Sequence, residues 1–233
     1  MLKIGGLEKA SLLDYPGKIS AIIFTHGCNL RCPYCHNPEL VIEKFNEERS
    51  FSEEYVLNFL ESRKGKLDAL VITGGEPLVQ SDLLPFIKKV KDMGFLIKLD
   101  SNGTFPDKLN DFIKTGLIDY VAMDVKSPKT EYKYATNSMI SGIGEKIEKS
   151  IKIIMNSGLD YEFRTTYVKS LHSLESADEI GKMIKGAKNY YIQNFRPGKT
   201  IDPTLTRENS FTTRELEQIK EVIEKYVKNV QIR

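Results

Sequence analysis

Three cysteines, Cys28, Cys32 and Cys35, fall in one eight-residue window of the segment GCNLRCPYCHNP, and the chain has no others. Thiols this close together have few uses. Cys32-Pro33-Tyr34-Cys35 alone has the form of a glutaredoxin dithiol, which leaves Cys28 without a task. All three with His26 or His36 would make a tetrahedral zinc site. Three thiolates also suit an iron-sulfur cluster in which one iron has no protein ligand. A zinc deaminase is set aside, because no His-x-Glu partner stands around His26, His36 or His172. Gly27 before the cysteines and Pro33 among them make the segment a loop, able to curl and turn three sulfurs toward one guest.

Other polar residues recur in register with this loop: Gly74-Gly75-Glu76, Asp100-Ser101-Asn102-Gly103, Asp124-Val125-Lys126, Arg164 and Arg196. Each set lies at or just past the C-terminal end of a predicted strand. The strands are read from β-rich runs at 19–27, 69–76, 95–103, 119–127, 160–168 and 190–195. Between them run helical stripes: Val56, Leu57 and Leu60; Leu83, Leu84, Ile87 and Val90; Ile143, Ile147, Ile151 and Ile154; Ala177, Ile180 and Ile184. A last helix near 212–228 precedes a short terminal strand, NVQIR. Strands alternating with helices imply βαβ units with right-handed crossovers, hence an α/β fold with about six parallel strands. In such folds the strand ends and the loops after them form the ligand-binding face.

The totals agree with one domain over residues 1–233. Hydrophobic residues make up 40% and charged residues 28%, which supplies a core and argues against disorder. A net charge of +2 from 34 basic and 32 acidic residues gives no electrostatic reason to expect nucleic acid or membrane as partner. The opening MLKIGGLEKA has no apolar signal region, so the expected location is cytoplasmic. Cysteines clustered in one loop fit a metal or catalytic role in a reducing compartment better than a disulfide framework.

Cys-x3-Cys-x2-Cys with an aromatic just before the last cysteine resembles the signature of radical S-adenosylmethionine (SAM) enzymes, and Gly74-Gly75-Glu76 matches that family's GGE motif. The stretch LLDYPGKISAIIFTHGCNLRCPYCHNPEL resembles the activating enzymes of glycyl-radical enzymes, in particular the class acting on anaerobic ribonucleoside-triphosphate reductase. KLDSNGT and AMDVKS are similar to the paired segments DTNG and LDLK of pyruvate formate-lyase activating enzymes.

The resemblance implies a partial (β/α) TIM-like barrel of the radical SAM type. It implies that Cys28, Cys32 and Cys35 hold a 4Fe-4S cluster whose fourth iron takes the SAM amino and carboxylate groups. It further implies SAM contacts from Tyr34, Thr73, Gly74, Gly75, Glu76, Asn102, Lys126, Arg164 and Arg196, with Glu76 on the ammonium and Tyr34 near the adenine. Asp100, Ser101 and Asp124 would hold a monovalent cation; in the bland alternative Asp124 pairs with Lys126 and Asp100 only closes a turn. The implied partners are a glycyl-radical enzyme and, as electron donor, a flavodoxin or ferredoxin. A radical SAM enzyme of small-molecule type, such as a 7-carboxy-7-deazaguanine synthase, and a zinc-stabilised binding module are the rival readings.

Overall fold

A computed structural model describes residues 1–233. Its eight strands are hydrogen-bonded in the order of the sequence. The chain divides into two compact units, neither of them continuous. The first comprises residues 1–29, 39–101 and 107–121, and the second 30–38, 102–106 and 122–233.

The first unit opens with β1 (Ile4–Ser11), which runs antiparallel to β2 (Ser20–Thr25). This strand was not among those expected. IGGLEKAS carries two glycines and no alternation of apolar residues, and the register against β2 shifts twice. After the short α1 (Pro38–Val41) and α2 (Glu53–Glu61) comes β3 (Ala69–Gly74), parallel to β2. Then α3 (Leu83–Asp92) leads to β4 (Leu96–Ser101), parallel to β3, and α4 (Pro106–Lys114) to β5 (Tyr120–Asp124).

Ala69, Leu70, Val71 and Ile72 are all buried, the continuous apolar run of a parallel strand covered on both faces. Leu83, Phe86, Ile87 and Val90 form the buried stripe of α3. Ser52 caps α2 by accepting the Tyr55 N–H at 3.1 Å.

The second unit takes the end of β5 and continues with α5 (Tyr132–Ala135), α6 (Ile143–Met155), β6 (Asp160–Tyr167), α7 (Leu174–Met183), β7 (Asn189–Asn194), α8 (Thr213–Ile223) and β8 (Asn229–Ile232). β6, β7 and β8 pair in parallel. Ile143, Ile147, Ile151 and Ile154 bury one face of α6. A reciprocal capping box starts α8, with Thr212 and Glu215 each bonded to the other's backbone N–H. No helix is long and apolar enough to cross a membrane.

Candidate functional site

In the first unit the motif residues lie at or just past the ends of β2, β3 and β4. Past β2, His26 N–H donates to Lys3 O at 2.9 Å and Gly27 N–H to Leu40 O at 2.7 Å, so the backbone entering the cysteine loop is fixed before Cys28. Gly74 and Gly75 sit hard against this stem. Gly74 has φ of 112°, where only glycine is unstrained. A Cβ on Gly75 would land on the Gly27 carbonyl. The Gly75 N–H donates to Thr25 O at 2.8 Å and the Glu76 N–H to Gly27 O at 2.9 Å, while Thr73 O accepts the Thr25 hydroxyl at 3.0 Å.

Glu76 is fully buried. Its Oε1 accepts from Leu78 N–H at 3.1 Å and from the Ser101 hydroxyl at 3.0 Å. Asp100 and Ser101 are the last residues of β4 rather than residues beyond it, and both are buried. Lys98, itself buried, stands 3.7 Å from Asp100 Oδ1.

The second unit holds the rest of the cysteine loop. Arg31 N–H donates to Thr136 O at 3.0 Å and Asp202 N–H to Pro33 O at 2.8 Å. The Cys35 N–H closes a turn on Cys32 O at 3.0 Å. Tyr34, between those two cysteines, is buried with a phenol oxygen that has no hydrogen-bond partner. Burial, then the nearby Cys32, pushes its pKa well above the ordinary tyrosine value.

Lys126 faces the same region. Burial alone would lower its pKa, but Asp124, Cys32 and Tyr34 outweigh that and hold it well above the usual lysine value. Asp124 shows the converse: burial favours the neutral acid, and the cations of Arg164 and Lys126 overcome it, keeping the carboxyl far below the carboxylate range. The Arg164 Nε–H donates to Asp124 Oδ1 at 2.8 Å, and Lys126 Nζ donates to Oδ2 at 3.2 Å. Asp124, one of the residues expected to hold a monovalent cation, thus has a side-chain cation on each oxygen, as in the bland alternative.

Two residues that the sequence did not single out lock this segment. The Tyr132 hydroxyl donates to Asp124 O and accepts from Lys126 N–H, at 3.2 and 3.1 Å. His172 accepts the Val168 N–H on Nδ1 at 3.0 Å, so Nε2 carries the proton and donates to Lys126 O at 2.9 Å. Between them, Val125 N–H reaches Arg164 O at 2.8 Å and the Thr165 hydroxyl reaches Val125 O at 2.5 Å. Asp124-Val125-Lys126 is therefore held through its backbone on every side.

One placement differs from expectation. Arg164 lies inside β6, not at its end. Arg196 follows β7 as expected but is exposed. Asn102 is buried and accepts from the Thr104 N–H and hydroxyl, at 3.0 and 2.7 Å, which makes it a turn-former in the second unit.

None of the three cysteines is in a disulfide; Cys32 is buried, and Cys28 and Cys35 are half-buried. Within the second unit, the thiols of Cys32 and Cys35 and the buried Tyr34 phenol, whose oxygen has no hydrogen-bond partner, are soft donors and an unfilled polar group of the chemistry that an iron-sulfur cluster with an organic cosubstrate uses.

The Radical SAM superfamily model matches residues 22–185, and the chain belongs to that superfamily. Its members use a 4Fe-4S cluster and SAM. The chain is 36% identical, over 99% of its length and 95% of the relative's, to a Methanocaldococcus jannaschii protein that bears the provisional name of glycyl-radical enzyme activating enzyme. It is 28% identical to the pyruvate formate-lyase-activating enzyme of Clostridium pasteurianum, over 86% of this chain and 84% of that one. In fold it is similar to Streptococcus suis SuiB bound to S-adenosylmethionine, with a TM-score of 0.67 at 14% identity over 91% of this chain and 51% of that one. The α/β radical SAM fold expected from the sequence is therefore the one observed.

Proposed function

We propose that this enzyme is an activase that uses SAM to generate a glycyl radical on an anaerobic ribonucleoside-triphosphate reductase. The observation that carries the reading is local to the second unit. The backbone of Arg31 and of Pro33, on either side of Cys32, is bonded to Thr136 and Asp202, and Lys126 lies within electrostatic reach of Cys32 and Tyr34. A cationic side chain next to a soft-metal loop is what a substrate carrying a carboxylate requires. Likeness over nearly full length to a protein with an activase name supports the same class.

In this reading Cys28, Cys32 and Cys35 hold the cluster. Held there, a 4Fe-4S cluster would supply the one-electron reduction of SAM that leads to hydrogen-atom removal from the target glycine, with a flavodoxin or ferredoxin as the electron donor. The chain's own residues do the positioning. Glu76 offers a buried carboxylate to the SAM ammonium, and Gly74 and Gly75 let backbone approach without a Cβ. Lys126 and Arg164 face the SAM carboxylate, and the phenol of Tyr34 meets the adenine.

The test is to incubate the reduced, cluster-loaded protein with SAM and a candidate anaerobic reductase. The expected result is 5′-deoxyadenosine together with a carbon-centred doublet in the electron paramagnetic resonance spectrum, lost when the target glycine is replaced by alanine. SAM cleavage that tracks an added purine precursor, with no protein radical, would assign the small-molecule chemistry instead.

A further inference from the structure

Five charged side chains of the second unit alternate in sign along one line of contacts. Arg233 Nη1 stands 3.4 Å from Glu162 Oε1, and Arg164 Nη1 stands 3.7 Å from the same oxygen. Arg164 Nε donates to Asp124 Oδ1 at 2.8 Å, and Lys126 Nζ reaches Asp124 Oδ2 at 3.2 Å. Glu162 is completely buried, whereas the Arg233 side chain is 36% exposed. Arg233 is itself held twice: its N–H donates to Ile192 O at 2.8 Å, and its guanidinium lies 3.4 Å from the centre of the Tyr191 ring.

A fully buried carboxylate is costly, and the two guanidiniums offset part of that cost. As a contribution to stability alone, such a pair does no better than apolar side chains of the same volume. What the pair adds is direction. Arg164 meets one anion on its Nε edge and another on Nη1, and two anions on different edges of a planar guanidinium fix its plane. If Glu162 lost its countercharge at Arg233, it would draw Arg164 away from Asp124, and Asp124 would be left to Lys126 alone.

We propose that Glu162 is a positioning residue for SAM binding and Arg233 its counterweight, the two acting through Arg164 and Asp124 to aim the Arg164 and Lys126 cations at the SAM carboxylate. This rests on the activase reading, in which those two cations face SAM. Neither Glu162 nor Arg233 touches SAM in this arrangement.

The experiment compares cluster-loaded wild type with Arg233→Ala, Arg233→Lys and Glu162→Gln, measuring the SAM dissociation constant by equilibrium dialysis, the melting temperature, and 5′-deoxyadenosine formation at saturating SAM. Arg233→Ala is expected to weaken SAM binding by roughly 3- to 30-fold, as losses within one charge network do. Turnover at saturation should stay near wild type, and Arg233→Lys should recover most of the affinity. Unchanged affinity in Arg233→Ala overturns the proposal, whether or not Glu162→Gln folds. A lowered melting temperature with unchanged affinity has the same meaning, because the pair would then serve the fold alone. If wild type itself fails to bind SAM, the activase reading falls and takes the proposal with it; if wild type binds and the variants match it, only the proposal falls.

Discussion

The Ser101 hydroxyl donates to Oε1 of Glu76 at 3.0 Å, tying the last residue of β4 to the carboxylate just past β3. Glu76 is fully buried, so each donor it keeps counts. Replacing Ser101 with Ala should cost about 1–3 kcal/mol, the price of removing one partner from a buried charged group. Denaturant unfolding measures that loss. SAM affinity should fall in the same variant, and Ser101→Thr, which keeps the hydroxyl, should recover part of both.

Gly75 cannot carry a side chain, because the atom a Cβ would strike is the Gly27 carbonyl, part of the backbone, and backbone does not swing aside. Gly75→Ala should therefore destabilise by about 1–3 kcal/mol. It should also lower the iron content after reconstitution, since the strike falls next to Cys28. Gly158→Ala serves as the control, with a left-handed φ of 78° but open space around it. It should lower stability without changing iron content.

Anaerobically purified protein should be brown and hold about four irons and four sulfides per chain. Cys28→Ala, Cys32→Ala and Cys35→Ala should each lose the colour. A dithiol enzyme would tolerate the first of these, and a zinc module would be colourless from the start.

His172 gives the fold a pH limb. Burial lowers its pKa below the ordinary histidine value, so the folded protein keeps the ring neutral where the unfolded chain would protonate it. The resulting stability is fully present above the unfolded value, roughly 6.5, and is lost as pH falls below it. The melting temperature should drop as pH falls below roughly 6.5. In His172→Gln, whose amide can meet both Val168 N–H and Lys126 O, that drop should flatten.

The elements were legible where apolar residues came in runs. β3 and β5 read as strands because they are covered on both faces, and α6 because four isoleucines share one stripe. β1 was not legible, since an edge strand with two glycines has no pattern to show. α4 offered only Leu109 and Phe112 as buried apolar residues, too few to mark a period. Within the site, the motif residues announced themselves by type and spacing. Tyr132 and His172 did not, because each acts through backbone atoms that any sequence would supply. The partnership of Glu162 with Arg233 spans 71 positions and exists only once β6, β7 and β8 are paired.

The cysteine loop is contiguous in the chain, yet its backbone anchors, Thr136 and Asp202, lie far downstream. On a ribosome the thiols emerge long before either anchor. At ordinary elongation rates the interval from Cys35 to Asp202 is on the order of ten seconds. During that time the loop is an unclamped nascent segment, accessible to an iron-sulfur delivery machinery and equally to oxidants. The two downstream bonds, Arg31–Thr136 and Asp202–Pro33, can therefore close on the loop only after most of the second unit has been made.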